Sequence, residues 1–171
     1  PLFANIARAA EQELRRSGFS MLITSSDGHL DVEARNLALL RRRRVDGVIV
    51  SLVSEEAEST KAALTAFNGP VVLLDREVAG LGAAAVLCDH YSGVYRATGE
   101  LLARGHERIG LVSGALTVRS SRERLRGYEA AFAAAGVPVD RSLLALGSFD
   151  ADFAKAEVIR LFSRRAEPTA L

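Results

Sequence analysis

Short apolar runs bounded by glycine or proline alternate along this chain with longer segments of helical periodicity. That rhythm restricts the fold more than any other feature. The runs are residues 19–24 (FSMLIT), 45–52 (VDGVIVSL), 71–74 (VVLL), 83–87, 109–112 and 143–146. Runs this short and this apolar suit strands covered on both faces, as in a parallel sheet. Between them, residues 4–17, 31–43, 55–67, 92–104, 120–135 and 151–164 repeat their apolar positions with a helical spacing. Strand and helix alternate every 20–30 residues or so, which predicts an α/β architecture of parallel sheets with crossover helices. One interval breaks the rhythm. The strand at 83–87 follows that at 71–74 with no helix between, which reads as a sheet edge or a crossing between lobes. The boundary is placed at 88–90.

Length and charge narrow the function classes. A chain of 171 residues is long enough for one large domain or two small lobes. Its net charge of +1 gives no whole-chain field for nucleic acid or an anionic membrane. No run approaches the roughly 18–20 apolar residues of a membrane span. The opening PLFANIARAAEQELRR is an amphipathic helix and not a secretory signal. The chain starts in mid-element, and its last residues, 168–171, read as the start of a strand, so a fragment of a longer chain is expected. The single cysteine, Cys88, excludes an internal disulfide and reads as a small buried hydrophobe.

Chemistry-bearing side chains gather where strands end. Asp75 and Arg76 directly follow an apolar strand, and ligands of open α/β sheets bind at carboxyl ends of strands. A carboxylate and a guanidinium there suit a polyol, since one accepts from hydroxyls and the other donates. They could equally pair with each other or cap the next loop. The loop 113–117 delivers a helix on which Ser120 and Arg124, four apart, share a face. Arg124 lies among many arginines, and Gly127 inside that helix signals close packing against a neighbour. Phe3 and Phe149 stand at strand-to-helix junctions, where exposed rings could stack on a sugar or could serve the core. The basic run Arg41–Arg44 closes a helix and reads as a solvated or interface helix end. His29, His90 and His106 make no metal spacing with Cys88, and His106 is expected to bond locally. No phosphate-loop, dinucleotide, nucleophile-elbow or zinc-protease pattern occurs, so no enzyme, metal or cofactor is proposed.

The segments PLFANIARAAEQELRRSGF, RRVDGVIV, PVVLLDR, LLARGHERIGLVSG, RERLRGYEAAFAAAGV and EPTAL follow one another in an order that resembles the effector-binding core of LacI/GalR transcriptional repressors. That core is similar in fold to type I periplasmic sugar-binding proteins. The resemblance covers essentially the whole chain. It implies two Rossmann-like lobes with parallel sheets, incomplete at both ends, with residues 1–88 in the first lobe and 89–171 in part of the second. It implies a small sugar-like effector between the lobes, a cytoplasmic homodimer with no membrane contact, and operator DNA bound by a missing N-terminal helix-turn-helix. The helix at 31–44 is a candidate dimer contact. The alternative is the periplasmic sugar-binding protein of a transporter. By position, the resemblance implies that Phe3 and Phe149 flank the ligand. Asp75, Arg76 and Arg124 would hold its hydroxyls, with Ser120 one turn before Arg124 and Asp89 at the crossover. Leu2 stands where many members carry a second aromatic.

Overall fold

A computed structural model describes residues 2–164 and 167–171. Its elements follow in the order α1 (Leu2–Arg16), α2 (Leu30–Arg42), β1 (Val48–Val50), α3 (Glu58–Thr65), β2 (Val71–Leu74) and β3 (Ala84–Val86). They continue with α4 (His90–Ala103), β4 (Leu111–Gly114), α5 (Arg119–Ala135), β5 (Leu144–Gly147) and α6 (Ala151–Phe162). Two parallel sheets result, as the alternation predicts. One has the order β1-β2-β3, with Val48 opposite Val71 and Leu73 opposite Ala85. The other pairs β4 with β5, Leu111 opposite Leu144 and Gly114 opposite Gly147. Ala170 bridges to Ile109 in parallel, so the expected strand start near residue 169 is realised as a single bridge.

Each sheet has its own core. Beneath the first, Leu37 of α2 and Leu64 of α3 close over Val48, Leu52 and Leu73. Beneath the second, Ile109, Tyr128 and Phe132 form the centre, and the Tyr128 hydroxyl donates to the Ile109 carbonyl at 2.7 Å. That bond satisfies the one polar atom the ring carries into the core. Gly127 lets α5 rest directly on α4, because a Cβ there would collide with the Tyr91 carbonyl oxygen. The close approach read from the sequence is therefore present.

Three expectations need correction. Residues 19–24 form no strand, and Leu22 and Ile23 are exposed. A strand exists only through a neighbouring strand's backbone, and no described residue forms a ladder with this segment, whose Phe19 N–H instead closes onto the Leu14 carbonyl of α1. The strand expected at 109–112 lies two residues later, because Ser113 and Gly114 complete the ladder with β5. Apolarity alone does not reveal that Gly114 is in the strand, with the Phe149 ring where its Cβ would be. Cys88 is exposed rather than buried, since it lies in the irregular link between β3 and α4. The helix-free interval is as read: among the described residues β3 is a sheet edge that pairs with β2.

Candidate functional site

Site construction begins in α2. Glu33 is 4% exposed, and its carboxylate accepts from the Val53 backbone N–H at 2.7 Å and the Thr60 hydroxyl at 2.9 Å. Such charge-assisted bonds satisfy a buried carboxylate and fix the loop that follows β1. That loop presents two groups. The Leu52 carbonyl accepts from Arg76 Nε at 2.7 Å, and Glu55 reaches the start of α5.

At the carboxyl end of β2 the backbone of Asp75 takes φ +54°, a left-handed conformation that costs a non-glycine residue about 1–3 kcal/mol. Its N–H still donates to the Val86 carbonyl, so the turn grows out of the β2–β3 pairing. The Asp75 carboxylate accepts from His90 Nε2 at 2.8 and 2.9 Å and from the Cys88 N–H at 3.4 Å. Arg76 is 8% exposed and also donates to the Asp75 carbonyl at 2.7 Å. Burial lowers its pKa, against which Asp75, Glu55 and Glu33 favour the charged form. Arg76 and the Asp75 carboxylate stand 3.8 Å apart, so the pairing weighed from the sequence is present but long.

From the second sheet come Arg124 of α5 and Phe149, which follows β5. The guanidinium carbons of Arg76 and Arg124 lie 6.0 and 5.8 Å from the centroid of the Phe149 ring. Cations near an aromatic face are attracted by its quadrupole. Residues separated in sequence by 48 and 25 positions thus converge on one ring, which is itself 57% exposed. Together they present guanidinium donors, a carboxylate acceptor and an apolar face. That is the donor and acceptor set a polyhydroxylated ring needs.

The remaining sequence-identified residues are placed differently. Ser120 is 1% exposed, and its hydroxyl, like those of Ser113 and Ser121, is buried without a hydrogen-bond partner among the described residues. Phe3 is 57% exposed on the first turn of α1, and no ring contact joins it to Phe149 among the described residues. The Leu2 side chain lies outside what the structure describes. Asp89 caps α4, accepting from the Ser92 N–H at 3.0 Å, and that bond lowers its pKa. His106 bonds locally as expected, its N–H donating to the Leu101 carbonyl at 3.0 Å where α4 ends, and its ring also reaches the Thr169 hydroxyl at 3.1 Å. Arg41–Arg44 are all exposed, consistent with a solvated or interface helix end.

Sequence reasoning missed Glu55. Its side chain is 3% exposed and accepts from the Glu77 N–H at 2.9 Å, the Arg119 N–H at 2.8 Å and Arg122 Nη2 at 2.7 Å. The Glu55 N–H in turn donates to the Thr117 carbonyl at 3.1 Å. One carboxylate therefore ties the loop after β1, the loop after β2 and the amino end of α5, where a negative charge is favoured. Its signal was a glutamate pair just past a strand's carboxyl end. Also at this junction, Asp75, Cys88 and His90 place their ligand atoms within 4.8 Å of one another. Two surface grooves lie apart from this cluster. One of about 300 Å³ is walled by Leu22, Ile23, Leu39 and Leu40, and one of about 640 Å³ lies between α4 and α5. Their linings are mostly apolar and lack the convergent polar groups of the junction.

Known proteins resemble the chain along its whole length. The family profile describing periplasmic binding proteins and the sugar-binding domain of the LacI family matches residues 1–171. The HTH-type transcriptional regulator DegA of Bacillus subtilis is 30% identical over 173 residues, covering 100% of this chain and 51% of DegA. The crystal structure of the transcription regulator CcpA of Lactococcus lactis aligns with a TM-score of 0.86 at 26% identity, over 96% of this chain and 60% of that one. A LacI family regulator from Lactobacillus casei, solved with bound sucrose, aligns with a TM-score of 0.75 at 28% identity, over 95% and 59%. The chain spans about half the length of the curated relatives it matches. No helix among the described residues is long and apolar enough to cross a membrane.

Proposed function

The chain belongs to the family of periplasmic binding proteins and LacI-type sugar-binding domains, and from that premise we propose that it is the effector-sensing core of a LacI/GalR-type transcriptional regulator. In this reading residues 1–88 and 89–171 contribute the two lobes, and a small sugar or similar polar ligand binds between them. The observation that carries it is the convergence of Arg76 and Arg124, from different sheets, on Phe149. Arg76, Arg124 and Asp75 hydrogen-bond the ligand's hydroxyls, and Phe149, with Phe3 opposite, covers its ring. Ser120 backs Arg124 from one turn earlier, and Asp89 sets the crossover. A ligand that contacts both lobes shifts their relative placement by its differential affinity for the two arrangements. The shift is passed to an operator-binding helix-turn-helix in a cytoplasmic homodimer. We assign the chain no catalysis.

The test is calorimetry against a panel of mono- and disaccharides. One member binds the wild-type chain, and Arg124→Ala weakens that binding by tenfold or more, about 1.4 kcal/mol. Equal affinity of the two proteins would remove Arg124 from the site.

A further inference from the structure

We propose that Asp75, Cys88 and His90 form a binding site for a divalent transition-metal ion, zinc above all, at the link between the two sheets. Their ligand atoms all lie within 4.8 Å of one another. They come from two segments: Asp75 from the turn after β2, and Cys88 with His90 from the link before α4 and its first residue. The fold already brings these segments together without a metal. The Asp75 carboxylate holds the Cys88 N–H at 3.4 Å and His90 Nε2 at 2.8 Å, so the Cys-x-His segment is fastened over it.

The donor set selects the ion. A thiolate, an imidazole and a carboxylate are the three ligand types of protein zinc sites, whereas magnesium and calcium demand oxygen alone. Tetrahedral zinc with bonds of about 2.0–2.3 Å separates its ligand atoms by roughly 3.3–3.7 Å. Reaching that geometry requires His90 Nε2 to withdraw from the carboxylate by about half an ångström. Cys88 is exposed, so its side chain can rotate between staggered rotamers to complete the set. The same exposure gives the ion an entry path, and three protein ligands leave a fourth position for water.

Binding displaces the thiol proton of Cys88 to solvent and needs His90 in the tautomer that carries its proton on Nδ1. Two cations stand near. Arg76 lies 3.8 Å from Asp75 Oδ2, and Arg119 Nη1 donates to the Cys88 carbonyl at 3.4 Å. Arg76 is turned onto the Leu52 and Asp75 carbonyls at 2.7 Å, so the carboxylate oxygens face His90 more closely than they face a guanidinium. The proposal does not rest on the effector reading, but it engages Asp75, the carboxylate that reading gives to the ligand's hydroxyls. A bound ion would fasten the β2 turn to the start of α4, the segment that joins the sheets.

The test uses the whole chain titrated with zinc chloride by calorimetry, and with cobalt(II) by absorption spectroscopy. Wild type is expected to take up one ion per chain and, with cobalt, to show visible d–d bands and a sulfur-to-metal charge-transfer band. Cys88→Ser abolishes the charge-transfer band, and both it and His90→Asn weaken zinc binding by about tenfold or more. These substitutions alter an exposed side chain and a partly buried one that asparagine can replace as a donor to Asp75, and thermal unfolding checks that both variants fold. Zinc also raises the melting temperature of wild type, and of Arg124→Ala, but not of Cys88→Ser. The proposal is overturned if wild type takes up no stoichiometric ion, or if both variants bind as it does, the ions then residing adventitiously elsewhere. A normal metal response in Arg124→Ala keeps this result separate from that for the effector.

Discussion

Replacing Gly127 by alanine tests the packing that supports Arg124. In an ordinary helix interior the change favours the helix by about 1 kcal/mol, because glycine loses more backbone entropy on folding. At this position a new Cβ would overlap the Tyr91 carbonyl oxygen and come 3.1 Å from the Tyr95 nitrogen. Both are backbone atoms of α4, so no side chain can swing aside. The two helices must separate, which loosens the contact beside the buried Tyr128 and Phe132. Overpacking of this kind costs typically 1–3 kcal/mol. Gly99, also within α4, is the control, since nothing lies within 4 Å of its hypothetical Cβ. Gly99→Ala is therefore expected to stabilise by up to about 1 kcal/mol, while Gly127→Ala gains the same helix term but bears the overpacking cost, a separation of about 1–3 kcal/mol. Urea unfolding followed by circular dichroism measures both, with the wild-type slope retained. In thermal unfolding the separation corresponds to roughly 2–12 °C for a chain of this size. If Gly127→Ala stabilises as much as Gly99→Ala, α4 and α5 do not meet as described, and the placement of Arg124 loses its support.

Alkaline pH and the Glu55 junction supply two further tests. Burial pushes the Tyr128 hydroxyl from 10.0 up to about 12, so the folded state holds that proton more tightly than the unfolded chain. The stabilisation is complete below pH 10 and is lost as pH rises from there through about 12. Tyr128→Phe is expected to be less stable near neutrality by about 1 kcal/mol, for the lost bond to Ile109, and to show a flatter decline over that range. Urea midpoints across the alkaline range decide it, and parallel declines would refute the assignment. Glu55→Gln keeps the side chain's shape but removes the charge that three donors share. Hydrogen exchange of the Arg119 amide is expected to accelerate while that of core amides such as Leu73 is unchanged. A protected Arg119 amide in the variant would show that Glu55 does not hold α5 to the first sheet.

The chain's own order of residues determined the architecture. Apolar runs too short for helices and separated by amphipathic segments can bury themselves only as parallel strands beneath helices. Asp75, Arg76, Arg124 and Phe149 were legible for the same reason, since each lies just beyond an apolar run or on the helix that follows one. Tertiary structure decided what those residues touch. Residues 19–24 have the composition of a strand, yet pairing depends on a partner backbone that no local pattern supplies. Glu55 looked like part of a charged helix start, and its role arises only because the loop after β1 meets the start of α5. Cys88 read as core, and its exposure follows from its place in the link between the sheets. Its nearness to Asp75 and His90 depends on a left-handed turn at Asp75 that no spacing rule foretells. Periodicity specifies which face of an element is buried, because burial is local in the pattern. Which side chains converge depends on how two separately packed sheets are joined, and that is a property of the whole chain.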